Sequence, residues 1–416
     1  MPTVRTLCHL TLLTFFCARP AFSGTLIIES WRVDDKTTWE KIIIPAFKKS
    51  HPGIDVKFSP TSPTEYDSSL TARLAGGTAG DLIACRPFDV SLALYHAGRL
   101  ENLDGAAGMN NFPQSAKVAW QTDDGKQTYC MPIASVIHGF LYNKKIFRQL
   151  NLQPPATEAE LFQVLDTVRK NGSYKPLALG TADQWESNQI VFSNIGPNYW
   201  HGEAGRKALI SGKAKFTDPQ FVAAWNVEAR LGSYLGKAAS AQTYADSQNL
   251  FALGKAAIYP AGSWDIAYFN QVPGLEFGAF APPVAKAGDQ CAISDHMDIG
   301  MGINTNSGNK ADARQFLAWL GSAEFADIYS NKVTGFFTLS SNPVDVKDPV
   351  ARQMIAWRAS CASTIRLNAQ ILNRGQPSME NELWNVNALV LNGKLSPANA
   401  AAKMQSGLAK WYKPQQ

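Results

Sequence analysis

Residues 25–85 decide the fold. They read Thr25-Leu26-Ile27-Ile28-Glu29-Ser30, a run from Trp39 to Lys49, His51-Pro52-Gly53, Ile54-Asp55-Val56-Lys57-Phe58, a run from Tyr66 to Ala75, Gly76-Gly77-Thr78-Ala79-Gly80, and Asp81-Leu82-Ile83-Ala84-Cys85. Trp39, Ile42, Ile43, Ala46 and Phe47 recur at helical spacing, and His51-Pro52-Gly53 stops that helix. Ile54 to Phe58 alternates apolar and polar residues, as a strand with one covered face does. The β-α-β-α-β order predicts an α/β sheet with parallel strands and helices on its faces.

Working outward, Pro132 to Asn143 is a β-prone segment long enough to leave one domain and enter another. Helices are predicted near Glu158–Lys170, Pro219–Leu231, Thr243–Leu253 and Ala311–Leu320, and two more over Leu383–Leu391 and Pro397–Trp411. Ala256 to Pro260 is a strand that ends at Ala261-Gly262-Ser263, and Asp298 to Asn304 is another, with Gly300 and Gly302 marking a bend or a close approach. A chain of 416 residues with 45% apolar and 18% charged residues is expected to fold as two packed domains.

The N-terminus predicts an export signal: Arg5, an apolar run from Leu7 to Cys17 too short to span a membrane, and Ala21 and Ser23 as the small residues of a cleavage site after Ser23. Phe15 and Phe16 before Cys17 argue against a lipid anchor. Arg5 and Arg19 leave with the signal and no acid does, so a formal net charge of +5 falls to +3. That mild, evenly spread charge gives no reason to expect nucleic acid or an anionic membrane as partner. Cys85, Cys130, Cys291 and Cys361 remain, which allows one or two disulfides of open pairing or buried free thiols; their wide spacing disfavours zinc.

The order of several motifs resembles the extracellular solute-binding proteins of ABC importers, in the branch typified by maltose-binding protein. They are Ile44-Pro45-Ala46-Phe47 before His51-Pro52-Gly53-Ile54, Gly77 to Leu82, Pro132-Ile133-Ala134 with Leu141-Tyr142-Asn143, and Gly262-Ser263-Trp264. Gly302-Ile303-Asn304, Trp384, Gly393 and Ser396-Pro397 complete the series over the mature chain. The resemblance implies a two-lobed periplasmic-binding-protein fold of type II, each lobe a sheet flanked by helices, with the ligand in the cleft at the hinge. Lobe I would hold residues 24–135 and 302–341 and lobe II residues 136–298 and 342–416, with hinge crossings near 136–139 and 299–302. It implies a periplasmic protein, expected as a monomer, that delivers a sugar to membrane permease subunits, with a chemoreceptor or sensor as a further partner. No cofactor, metal or catalysis is expected.

A sugar asks for aromatic rings against its C–H faces and planar polar groups for its hydroxyls. Strand-end loops supply such mixtures: Trp31 with Asp34, Tyr66, Arg86 with Asp89, His138 at the first crossing, Trp185, Trp200 within Asn198-Tyr199-Trp200-His201, Asp295, Phe337 and Trp384. Trp264 matches the family's Gly-x-Trp position, where the indole is a stacking platform, and leads these candidates. Relatives of maltose type carry a carboxylate in the first crossing; here the stretch reads Ala134-Ser135-Val136-Ile137-His138, a departure from maltose specificity. Arg32, Arg86 and Arg366 offer a second reading, a clamp for a sugar phosphate, sugar acid or glycerophosphodiester. A glycan-processing enzyme is the third. The chain lacks a Gly-x-Ser-x-Gly elbow and a His-Glu-x-x-His helix, and its Gly76–Gly80 loop precedes a strand rather than a helix.

Overall fold

The computed structural model describes residues 24–416, so the expected signal and its cleavage site lie outside the described residues. The strands are β1 (Leu26–Ser30), β2 (Val56–Pro60), β3 (Leu82–Cys85), β4 (Met131–Asn143), β5 (Lys175–Leu177), β6 (Ala256–Gly262), β7 (Phe277–Phe280), β8 (Ala292–Ile303), β9 (Phe337–Thr338) and β10 (Ala362–Thr364). They form one strongly curled system in the order β2-β1-β3-β8-β4-β6-β5. β2, β1 and β3 are parallel, as the alternation in residues 25–85 predicts. β8 then runs antiparallel to both β3 and β4, and β4 antiparallel to β6.

Strands β4 and β8 are long enough to serve two packed regions. β4 shifts register against β8 around Pro132, Ala134 and Ser135, the irregularity that bends a strand out of one sheet plane and into another. β8 begins at Ala292, earlier than the sequence suggests, so Asp295 lies inside the strand opposite Ile137 rather than in a loop before it. Gly300 is needed in β8 because a Cβ there would lie 2.8 Å from the Trp120 ring.

Buried apolar side chains fall into three clusters. One gathers β1–β3 with the helices Ile44–Ser50, Tyr66–Ala75, Lys310–Leu320 and Ala323–Lys332, around Phe47, Phe58, Trp120, Phe316 and Tyr329. A second joins Phe162, Phe192, Trp200, Trp225 and the C-terminal helices Met379–Leu391 and Pro397–Ala409. A third sits between β4, β6 and β7 and the helix Pro349–Ala356, around Phe251, Phe269 and Met354. Both cysteine pairs are oxidised: Cys85–Cys130 ties the end of β3 to the start of β4, and Cys291–Cys361 ties β8 to β10.

Candidate functional site

The C-terminal ends of β1, β3 and β6 deliver Trp31, Arg86 and Trp264 to one cleft, as open α/β sheets do with their ligand-facing residues. The opposite wall comes from the turn Trp185–Gln189 and the helix Met379–Leu391, through Trp185, Asn188, Gln189, Glu380 and Trp384. Tyr244 closes one side.

Local structure explains the leading indole. A Cβ on residue 262 would lie 1.8 Å from the Trp264 ring, so glycine at that position is what lets the ring fold back over the strand end. Behind it, Tyr244 and the Gln248 side chain both donate to Asp265 Oδ1, the latter at 2.9 Å. Burial, opposed by those two donors, pushes the Asp265 carboxyl up to about 7. Burial, then the neighbouring Asp265, holds the Tyr244 phenol well above its ordinary value.

The cations of the cleft are already matched. Arg32 forks onto Asp35 at 2.8 and 2.9 Å. Arg86 donates to Asp67 at 2.9 Å and to the Pro63 carbonyl at 3.2 Å, with its guanidinium over the Trp31 ring. Arg366 reaches Asp298 at 3.4 Å. Glu380 adds a further carboxyl, raised by burial against the pull of Arg366 and Arg86. Two buried polar atoms of the lining lack a protein partner, the Trp185 indole N–H and Gln189 Oε1.

Of the residues singled out in the sequence, Trp31, Arg32, Arg86, Trp185, Trp264, Arg366 and Trp384 meet in this cleft. The others lie elsewhere. Trp200 is packed against Phe192 and Phe221 in the second core cluster, because the helix Gly196–Trp200 turns it inward. Tyr66 is buried behind Trp31 and donates to the Ala84 carbonyl at 2.8 Å. Phe337 is a core residue of β9 with Arg358 over its ring. Asp295 accepts from Arg358 and Ser363. Asp89 is buried and accepts from Arg374 at 2.7 Å. Asp34 is half-buried outside the lining, and burial, opposed by Arg32, raises its carboxyl. His138 is fully buried, edge-on behind Trp264.

Sequence reading missed Asp67, Asn188, Gln189, Tyr244 and Glu380. A signal existed for Glu380, which precedes Trp384 by one helical turn and so shares its face. None existed for Asn188 and Gln189, which lie in a short turn with no periodicity.

A two-lobed α/β fold closing on an aromatic, charge-matched cleft defines a protein that captures a small solute. The chain belongs to the bacterial extracellular solute-binding protein family, whose model matches residues 30–327. It is thus a solute-binding component of ABC import, not an enzyme. It is 24% identical over 320 residues to the multiple sugar-binding protein of Streptococcus mutans serotype c, covering 74% of this chain and 72% of that one. The fold matches a chitin oligosaccharide binding protein with a TM-score of 0.79 at 21% identity, covering 94% of this chain and all of the other. It matches the GacH receptor of Streptomyces glaucescens with a TM-score of 0.74 at 20% identity, covering 94% of this chain and 99% of that one.

Proposed function

We propose that the protein captures a neutral sugar or small oligosaccharide in the periplasm and hands it to the permease subunits of an ABC importer. The carrying observation is the cleft's composition: four indoles and a phenol, with each arginine already paired to a carboxylate. Indole faces suit sugar C–H faces, and guanidinium–carboxylate pairs present donors and acceptors side by side to a hydroxyl. The unpartnered Trp185 N–H and Gln189 Oε1 suit a ligand that both donates and accepts. The same pairing disfavours the anionic alternative, since a phosphate or carboxylate would have to displace Asp67, Asp35 or Asp298 and meet Glu380. The sugar-binding relative from Streptococcus mutans and the oligosaccharide-binding neighbour agree with this reading.

In this reading lobe I is built largely on the first core cluster and lobe II largely on the other two, with β4 and β8 as the crossings. Ligand contact with both walls favours the closed arrangement, which the permease would read. The test is a melting-temperature panel of maltotriose, raffinose, chitotriose, xylotriose, glucose 6-phosphate and galacturonate. A bound ligand at about 100 times its Kd adds roughly 2.7 kcal/mol. A shift with a neutral saccharide supports the proposal; shifts confined to the two anions overturn it.

A further inference from the structure

Directly behind the cleft, His138 on β4 and His296 on β8 lie at the strand crossing. Val136 and His296 are opposite each other in register, which makes His138 the diagonal neighbour of His296 on the same strand face. Both imidazoles are buried, with Nε2 atoms 2.9 Å apart. His296 Nδ1 lies 2.8 Å from the Met297 carbonyl, so it carries the proton and donates there. His296 Nε2 is then a lone pair. That single lone pair is shared between the Arg366 Nε donor at 3.0 Å and His138 Nε2, which carries its proton in this tautomer. Arg366 lines the cleft, and the Trp264 ring rests edge-on against His138 at 5.0 Å. The sugar reading of the cleft gives this relay no role.

We propose that His296 is a positioning residue for ligand capture: it fixes the Arg366 guanidinium in the cleft wall, and the His138–His296 pair makes capture sensitive to acid. The proposal rests on the cleft being the ligand site. A second-layer acceptor of this kind decides which way a flexible cation points, as outer hydrogen bonds orient ligating groups elsewhere. Without the lone pair, Arg366 keeps only its 3.4 Å contact to Asp298.

Titratable and charged groups from several elements face the pair. They are His138 from β4, His296 and Asp298 from β8, and Arg366 from the segment after β10. Gln189 is the polar side chain beside His138. Asp295 points to the other strand face, paired with Arg358, whereas Glu380 and Arg86 line one pocket with His296, Asp298 and Arg366 and also face the pair. Burial first, then the Arg366 charge, holds His296 neutral far below its ordinary value of 6.5; burial, then His296 and Arg366, does so for His138. A proton forced onto His296 Nε2 removes the acceptor and sets a cation against Arg366. The relay is therefore complete around neutrality and is lost only as the pH falls well below the ordinary imidazole range.

The test is calorimetric titration of the folded protein with the neutral saccharide that gives the largest melting shift in the panel. His296→Gln keeps an acceptor but cannot titrate. It should bind within a few-fold of the parent near pH 7 and lose the acid limb that the parent shows. His296→Leu should weaken binding by roughly tenfold or more, and adding Arg366→Gln should cost little further. Parent and His296→Gln profiles that coincide at every pH, or losses from His296→Leu and Arg366→Gln that add in full, would overturn the proposal. Should His296→Leu not fold, imidazole nitrogen NMR of the parent decides without any ligand. The proposal expects His296 in the Nδ1–H form, not titrating near 6.5, and titrating closer to it in Arg366→Gln; an Nε2–H form overturns it. Failure of every saccharide to bind overturns the sugar reading instead, and the NMR arm still judges the relay.

Discussion

Trp264 and Trp200 are both buried tryptophans near the ends of polar loops, yet they have opposite surroundings. Trp264 rests over Gly262 with the cleft in front of it; Trp200 is enclosed by Phe192 and Phe221. Trp264→Ala should lower saccharide affinity by about 2–4 kcal/mol, the loss typical of a buried aromatic anchor, on top of a stability cost, because the ring also packs in the first core cluster. Trp200→Ala should cost about 3–5 kcal/mol of stability and leave the affinity of the folded protein unchanged. Calorimetry and denaturant unfolding separate the two outcomes, and an exchange of the two effects would contradict the assignment. The Gly-x-Trp motif was readable because its glycine has a steric reason. Trp200 was not, since Asn198-Tyr199-Trp200-His201 has the composition of a binding loop and only tertiary packing turns the ring inward.

Asp265 carries a pH effect at the same scale. Its carboxyl stands at about 7 in the fold against an ordinary 3.8. The folded state thus holds a proton that the unfolded chain releases. This group's contribution is greatest below 3.8, declines as the pH rises to about 7, and is level beyond. Asn cannot titrate, so the difference in unfolding free energy between the parent and Asp265→Asn should fall as the pH rises across this range. An unchanged difference at every pH would contradict it.

At the scale of elements, the two long strands and the two disulfides hold the site. The sequence showed β4 through an unbroken β-prone run, and the C-terminal half of β8 through its glycines. It hid the start of β8, because Ser294, Asp295, His296 and Asp298 read as a polar loop. They are tolerated in a strand because each meets a specific partner or, as with Ser294, a packed position at the crossing. Cysteine spacing left the pairing open, since only the folded sheet brings Cys291 beside Cys361 across β8 and β10. The Cys85–Cys130 bridge closes a loop of separation 45, for which chain entropy predicts ~4 kcal/mol. Replacing both of its cysteines by alanine should lower the denaturation midpoint accordingly. An unchanged midpoint would show that the bridge restrains nothing.

At the scale of the whole molecule, a charged contact set spans the proposed lobes away from the cleft centre. Arg374, in the segment preceding the helix Met379–Leu391, donates to Asp89 at 2.7 Å and forks onto Asp123 at 2.7 and 2.8 Å, while the Asn373 amide also donates to Asp89. The Arg374 side chain, its largest influence, holds the Asp123 carboxyl below its ordinary range. Opening the lobes would break this set. Arg374→Gln should raise the open fraction of the unliganded protein and speed saccharide release by several-fold, the worth of a half-exposed pair being about 1 kcal/mol. Solution scattering and stopped-flow release report both; an unchanged radius of gyration and release rate would contradict the latch. None of this was legible from Asp89 alone, which read as a cleft residue because its partner lies 285 positions away.

The central claim is that a neutral saccharide binds between the indoles with its hydroxyls on charge pairs that already cancel. Calorimetric titration of the best saccharide from the panel at low and high salt tests it most directly. The account predicts the same affinity at both salt concentrations, because a neutral ligand on matched pairs has no net charge to screen, and a large loss in Trp264→Ala at both. Affinity that collapses with added salt, or that survives the loss of Trp264, would contradict it.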